Sequence, residues 1–327
     1  MTAGARKVSV IIPTLNAGPG FEELLEKVRV QEGDFDVEVL VVDSGSADGT
    51  DELARSYGAT VHGVPRSEFN HGATRNLGIS LAQGEYVVLT VQDAVPLDER
   101  WLTTMVENLE RDKRVAGVYG RQVPHPRSSA LTRVLVNNLA TASLERREHF
   151  AGGPEQYREM PPVKRRRLAA FDNVSSCLRR SVWEKMPFEK TNFGEDIRWS
   201  KRVMEAGYKT VYEPRSAVFH SHERGAVYDL RRYYVDQRVL LELFGLELAP
   251  NLARLFLAIL RSSLHLYRLL RKDEELGDRG ALLLVLLAVK YAVPAQVGTY
   301  LGARSRSLAR LSPRAFGKLH RFLSKGI

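Results

Sequence analysis

Three stretches of this chain carry residue types at spacings that suit chemistry. The first is Leu89-Thr90-Val91-Gln92-Asp93-Ala94-Val95-Pro96, in which an amide and a carboxylate follow the strand-like run Tyr86 to Thr90. Open α/β sheets bind ligands just outside the carboxyl ends of their strands, so Asp93 stands where such chemistry belongs, although a cap or turn aspartate gives the same pattern. The second is Glu195-Asp196, adjacent carboxylates opening a helical run from Ile197 to Ala206 that Gly207 ends. A helix dipole favours their ionised form there, for site chemistry and for ordinary capping alike. The third is His220-Ser221-His222-Glu223. Histidines two apart on extended chain point to opposite faces, so both reach one metal only if the chain turns.

These groups need a scaffold, and the preceding sequence describes one. Val8 to Ile12 is a short β-branched run stopped by Pro13, as a buried strand would be. A loop (Thr14, Leu15, Asn16, Ala17, Gly18) leads to helical spacing from Phe21 to Val30. Val37 to Val42 is a second apolar strand and Ala59 to Val64 a weaker third. Strand and helix alternating at this spacing predict a parallel α/β sheet covered on both faces. Trp101 to Arg111 reads as a helix, Val115 to Gln122 as a strand and Leu131 to Arg147 as a helix, with Thr210–Tyr212 and Ala217–Phe219 as short strand pieces. The glycine-rich dinucleotide fingerprint and the ATPase phosphate loop are both missing from the sequence. A nucleotide can still be held at Asp43, whose carboxylate can accept from a base imide; capping of the next helix by Asp43 and Asp48 is the alternative. Arg75 and Asn76, near a helix start, suit either a phosphate contact or support of the Asp93 loop. His71 reads as structural.

The 327 residues suffice for one large domain with an appendage, and the net charge of +9 points to anionic partners. One cysteine, Cys177, excludes an intrachain disulfide and suits a reducing compartment. Met1 to Lys7 is short and polar and leads straight into a strand, so no signal peptide is expected.

Taken in order, Val-Ser-Val-Ile-Ile-Pro-Thr-Leu-Asn, Val-Val-Asp-Ser-Gly-Ser-Ala-Asp-Gly-Thr, His-Gly-Ala-Thr-Arg-Asn-Leu-Gly-Ile and Gln-Asp-Ala resemble glycosyltransferase family 2. Phe-Asn-His-Gly with Gln-Asp-Ala resembles its bacterial rhamnosyltransferases in particular. The resemblance implies the GT-A fold, a nucleotide-sugar-binding sheet flanked by helices, over residues 5–230. It implies donor contacts from Pro13, Thr14, Asn16, Asp43, Arg75, Gln92 and Asp93, with Asp43 at the nucleobase. Asp93 takes the second acidic position of the family's Asp-x-Asp metal motif, and Val91 replaces the first. Mg²⁺ or Mn²⁺ would then rest on Asp93 with His220 and His222, His220 as the favoured ligand and His222 nearer the diphosphate. Glu-Asp ahead of Arg-x-x-x-Ala-Gly-Tyr-Lys matches the family's base motif. Asp196 would be the general base and Glu195 would orient it or touch the acceptor, which implies single-displacement inversion. Phe171 to Trp183 would line the acceptor side. The favoured donor is dTDP-L-rhamnose, with a UDP- or GDP-hexose as the alternative. The expected acceptor is a polysaccharide or lipid-linked saccharide at the inner face of a bacterial membrane. A non-catalytic carbohydrate-binding protein on the same fold is the remaining alternative.

Residues 231–327 lie beyond the resemblance and read as helical and membrane-associating. Arg254, Arg261 and Arg268 recur every seventh residue along one helix face. Ala281 to Leu301 is apolar, but Lys290, Pro294 and Gln296 interrupt it, so a buried or re-entrant hairpin is favoured over a span. Ser312-Pro313 starts a basic amphipathic helix (Arg314, Lys318, Arg321, Lys325) of the kind that lies on anionic lipid. The run Lys164-Arg165-Arg166-Arg167 reads as a solvated face, an acceptor-phosphate contact or a membrane contact. No groove-reading motif is found, so nucleic acid is not an expected partner. The C-terminal helices could also pair chains into a homo-oligomer.

Overall fold

Val8–Ile12 and Leu40–Val42 are buried as their composition demands. They form β1 (Arg6–Thr14) and β2 (Phe35–Asp43), which pair in parallel with Thr14 level with Asp43. The computed structural model describes residues 6–326; the start of the chain at Met1–Ala5, read as polar and without a signal peptide, and Ile327 lie outside the described residues. β3 (Thr60–Gly63) continues the parallel set beyond β2, and β4 (Tyr86–Thr90) beyond β1.

From there the sheet departs from the parallel expectation. The remaining strands are β5 (Val95–Pro96), β6 (Val115–Val123), β7 (Arg147–His149), β8 (Ser175–Arg179) and β9 (Lys209–Phe219). β8 lies antiparallel between β4 and β6, and β5 and β7 are antiparallel to β9. Among the described residues the order is β3-β2-β1-β4-β8-β6-β9-β5, with β7 also on β9. The physical reason is the connection after β6. Segment 124–174 leaves the carboxyl end of β6 and returns to the same end, so β8 must run backwards. Helices flank this mixed sheet, which is the GT-A arrangement.

Two further expectations are corrected. Thr210–Tyr212 and Ala217–Phe219 belong to one strand, irregular where Gly120 and Arg121 pair with Glu213 and Ala217. The helix expected over Leu131–Arg147 stops at Asn137, is followed by a short turn at Ala140–Ala142, and gives way to β7. Consecutive asparagines at 137 and 138 are poor helix formers, and Arg147–His149 gains ladder hydrogen bonds on β9 instead.

Alternation along β1 divides the core. Val8, Val10 and Ile12 pack with Phe21, Leu24, Leu102 and Met105 from helices Gly20–Arg29 and Trp101–Arg111. Ile11 joins the opposite face with Ile79, Trp199 and Val203 from helices His71–Leu81 and Glu195–Glu205. The sheet thus holds the start of helix Glu195–Glu205 near the carboxyl ends of its strands.

The chain divides into two compact units: residues 1–125 with 136–221, and residues 126–135 with 222–327. The second contains helices Ala226–Phe244, Leu252–Lys272, Ala281–Ala303, Ser305–Leu311 and Pro313–Leu323. Residues 281–303 form one continuous helix, not a re-entrant hairpin. Only its Leu284, Ala288, Ala292 and Ala295 side is buried in this half, while Leu282, Val285, Leu286 and Val289 are exposed. The terminal helix also differs from expectation. His320 stacks on Phe316 and meets Tyr234 and Arg238, Arg231 lies over Phe322, and Leu323 is buried, so part of its apolar side docks on helix Ala226–Phe244.

Candidate active site

The loops after β1 and β2 are knitted together. Ser44 N–H donates to the Thr14 carbonyl, Asn16 N–H to Ser46 Oγ, Ala47 N–H to Asn16 Oδ1, and Gly18 N–H to Asp48. Asn16 takes a left-handed φ of 47°, which asparagine tolerates. Asp43 organises the junction: it accepts from Thr14 Oγ1 (2.8 Å), Ser46 Oγ (2.5 Å), and the N–H groups of Gly45 (2.9 Å) and Ser46 (2.8 Å). Burial pushes its pKa up, but these donors, Ser46 foremost, outweigh burial and hold it below the usual carboxylate range. Four donors match the roughly four lone-pair sites of a carboxylate. Asp43 therefore supports the loop, and a base imide would have to share or displace one of these donors.

Gln92 is occupied in the same way. Its Oε1 accepts from Leu15 N–H (2.8 Å) and its Nε2 donates to the Leu15 carbonyl (3.3 Å), pinning the β1 loop to the turn that carries Asp93. That turn is closed by Ala94 N–H on the Val91 carbonyl, between β4 and β5.

Asp93 faces His220 at the end of β9, with Oδ1 to Nε2 at 3.8 Å. A chain of contacts fixes the ring. Gln122 Nε2 donates to Asp172 Oδ2 (2.7 Å), so Gln122 presents Oε1 to His220 Nδ1 (2.9 Å). In the neutral ring Nδ1 then carries the proton and Nε2 turns its lone pair toward the Asp93 carboxylate. Two acceptor atoms converge to 3.8 Å, within the about 4.2 Å that two bonds of about 2.1 Å can span, and would close to about 3.0 Å as adjacent ligands of one octahedral ion. The donor set fits Mg²⁺ or Mn²⁺. His222 follows two residues later and belongs to the second unit.

The contacts continue to the other carboxylates. Next to Asp172, Asn173 Nδ2 donates to Glu195 Oε1 (3.2 Å), and Arg75 Nη1 lies 3.2 Å from the same oxygen. Both partners are almost fully buried, and Arg75 Nη1 also reaches His71. Burial raises the Glu195 pKa, yet the Arg75 guanidinium, with His71 and Asn173, brings it net below the ordinary value. Glu195 is thus a buried anion at the helix start. Asp196, next along, is only half-buried, and Gly194 before it adopts a φ of 73° that turns the chain into the helix.

Comparison with known proteins agrees with this architecture. Residues 9–169 match the model of Glycosyl transferase family 2. The chain is 29% identical over 233 residues to the O-antigen chain rhamnosyltransferase RfbN of Salmonella typhimurium, covering 70% of each chain. It is equally 29% identical over 232 residues to WbaN of Salmonella anatum, another O-antigen chain rhamnosyltransferase, covering 69% of this chain and 70% of that one. Over residues 9–169 the chain is similar to glycosyltransferase family 2. A solved mycobacterial protein, 17% identical, shares the fold with a TM-score of 0.50 over 74% of this chain and 75% of its own.

The fold brings Asp93, His220, Gln122, Asp172, Asn173, Glu195 and Arg75 into one contact network. Asp196 and His220 lie beyond the matched residues 9–169, so geometry places them. Pro13 and Thr14 lie at the end of β1 against Asp43. Arg75, expected at the donor, is spent on Glu195. Gln122 was not singled out by the sequence, its one signal being that it ends a strand, where sites form; Asp172 and Asn173 were read only as part of the stretch 171–183 expected to line the acceptor side.

Proposed function

We propose that this protein is an inverting, metal-assisted glycosyltransferase that moves L-rhamnose from dTDP-L-rhamnose to a hydroxyl of a bacterial polysaccharide or lipid-linked saccharide. The observation that carries the reading is the convergence of Asp93 and His220 at the carboxyl ends of the strands, joined by hydrogen bonds to the helix that begins at Glu195-Asp196. Asp93 and His220, with His222 as a third candidate, would hold the divalent cation. When bound, the cation neutralises charge on the departing diphosphate. Asp196 takes the proton from the acceptor hydroxyl as that oxygen attacks the anomeric carbon opposite the leaving group. Glu195 and Arg75 hold Asp196 in place and touch no substrate. The catalytic domain is proposed to span residues 5–230, of which 6–125 and 136–221 belong to one compact unit. The rhamnosyl donor is supported by the names of the two relatives.

The second unit is proposed to attach the enzyme to the cytoplasmic face of the membrane. Helix Ala281–Ala303 is, among the described residues, the one helix long and apolar enough to cross a bilayer by length and composition.

The test is a panel of dTDP-L-rhamnose, UDP-hexoses and GDP-hexoses, each with and without Mg²⁺ or Mn²⁺, read by product mass. Rhamnosyl transfer that needs metal is expected. Transfer from another donor alone would replace the sugar assignment, and no transfer from any would favour a carbohydrate-binding protein. Asp196→Asn should lower kcat by about 10²-fold or more with donor affinity kept. Undiminished turnover would remove the base assignment.

A further inference from the structure

The transfer reading makes no use of several arginines set among aromatic rings beside the catalytic helix. Tyr119 on β6 is level with Tyr212 on β9, and Tyr212 with Arg147 on β7, so the three side chains share one face of the sheet. Arg121 follows two residues after Tyr119 on β6, past the irregular step at Gly120, and its charge still acts on Tyr212. The Arg147 guanidinium lies 4.9 Å above the Tyr212 ring. The rings run on as a row, Tyr212 to Tyr119 at 5.1 Å, Tyr119 to Phe171 at 5.2 Å and Phe171 to Trp199 at 5.2 Å. Trp199 belongs to the helix that begins at Glu195-Asp196. Arg166 adds a third cation: the charges of Arg147 and Arg166 act on Tyr119 together with that of Asp172, and those of Arg147 and Arg121 on Tyr212 together with that of Glu213. Asp172 is itself engaged by Gln122, and Glu213 by Arg146 and Arg215.

These arginines lack what surrounds the others. Arg146 pairs with Glu148 and Glu213, and Arg215 with Glu213, so the acids of these strands are already taken. Among the described residues, Arg121, Arg147 and Arg166 have no carboxylate at ion-pair distance; Arg147 Nη2 donates to the Ala140 carbonyl (2.9 Å), while the Nε atoms of Arg121 and Arg147 are buried without a hydrogen-bond partner. All three are half-buried. Removing guanidinium groups from water without an anion is costly, which argues for an anion supplied from outside. Three planar forks offer more donors than a single carboxylate can accept, whereas phosphate oxygens can take them all.

We propose that Arg121, Arg147 and Arg166 form a binding site for a phosphate or diphosphate group, separate from the donor diphosphate at Asp93 and carried by the acceptor. The anion site stands on this geometry alone; only its link to the acceptor rests on the transferase reading.

Two measurements separate these parts. Calorimetry with inorganic pyrophosphate and no divalent metal should show binding to the full-length protein and to Asp93→Ala. It should weaken about tenfold or more per arginine in Arg121→Gln and Arg147→Gln. Arg166→Gln, on the surface helix Pro162–Leu168, should weaken it without risk to the core. Equal binding by all three arginine variants, or loss only in Asp93→Ala, would overturn the site. Steady-state transfer to a matched pair of saccharides, with and without a phosphate, then tests the source. The arginine variants should raise KM for the phosphorylated acceptor about tenfold with little change in kcat, and leave the phosphate-free one unaffected. If pyrophosphate binding depends on the arginines while both acceptors behave alike, the site takes free phosphate and the acceptor link fails.

Discussion

Glu195 and Asp196 share a helix start, yet only the first is sealed from water, and the roles proposed for them rest on that difference. A buried carboxylate with a single guanidinium partner is held by pairing and by the helix dipole, and it cannot reach an acceptor. Arg75→Met should therefore destabilise the fold by about 3 kcal/mol, because it strands a buried charge. Adding Glu195→Gln should return part of that loss, as measured by denaturant unfolding; additive losses would mean that the two residues do not act as a pair. The pH dependence carries the same signature. Glu195 has a depressed pKa in the folded state, so its contribution is present above the unfolded value of about 4.3 and disappears as pH falls through the folded value. In Arg75→Met burial is no longer offset by the guanidinium, so that acid-side loss should shrink or reverse, with the deficit relative to the parent narrowing as Glu195 is protonated.

At the scale of elements, the docking of segment Asn70–Arg75 against Glu189–Glu195 sets where the catalytic helix begins. Asn70 Nδ2 donates to Asn192 Oδ1 (2.7 Å), Gly72 N–H donates to the Thr191 carbonyl, and Asn76 bridges Phe188 and Trp183. A Cβ on Gly72 would overlap the Glu189 carbonyl, which is backbone and has little room to yield. Gly72→Ala should thus cost about 1–3 kcal/mol and lower kcat more than it raises donor KM, since it displaces Asp196 and not the β1 and β2 loops. A change in donor KM alone would count against this view. Part of this arrangement was legible in advance. β1, β2, β4 and the helix from Glu195 announce themselves through apolar runs and a clean start and stop. The antiparallel β8 did not, because direction is fixed by where a long connection returns and not by the strand's own residues. Gln122 escaped for a related reason. Its bonds to His220 and to Asp172 join positions far apart in sequence, and no local pattern marks an amide whose task is to orient a ring.

For the whole molecule, the excess of positive charge raises the question of what the second unit meets. Helices Leu252–Lys272 and Ala281–Ala303 contain no acidic residue, and both expose large apolar side chains. On the first, Leu252, Phe256, Leu260 and Leu264 recur at four-residue steps and are 57%, 68%, 65% and 45% exposed, with Arg254, Arg261 and Arg268 also on the exposed side. A symmetric pairing of two copies through this face would set like charges against each other, whereas anionic lipid satisfies the leucines and the arginines together. The terminal helix, docked in part on Ala226–Phe244, keeps Arg314, Lys318 and Arg321 exposed but offers less apolar surface. Membrane attachment should accordingly depend more on Leu260 and Leu286 than on that tail. Burying each leucine is worth about 1.5–3 kcal/mol, so Leu260→Glu with Leu286→Glu should weaken sedimentation with anionic phospholipid vesicles by about 10²-fold or more. Replacing Arg314, Lys318 and Arg321 by glutamine should have a smaller effect. Attachment through buried leucines should survive about 1 M salt, where purely ionic attraction is screened within about 3 Å. Complete release by salt, or unchanged sedimentation of the double glutamate variant, would assign the contact to the basic tail instead.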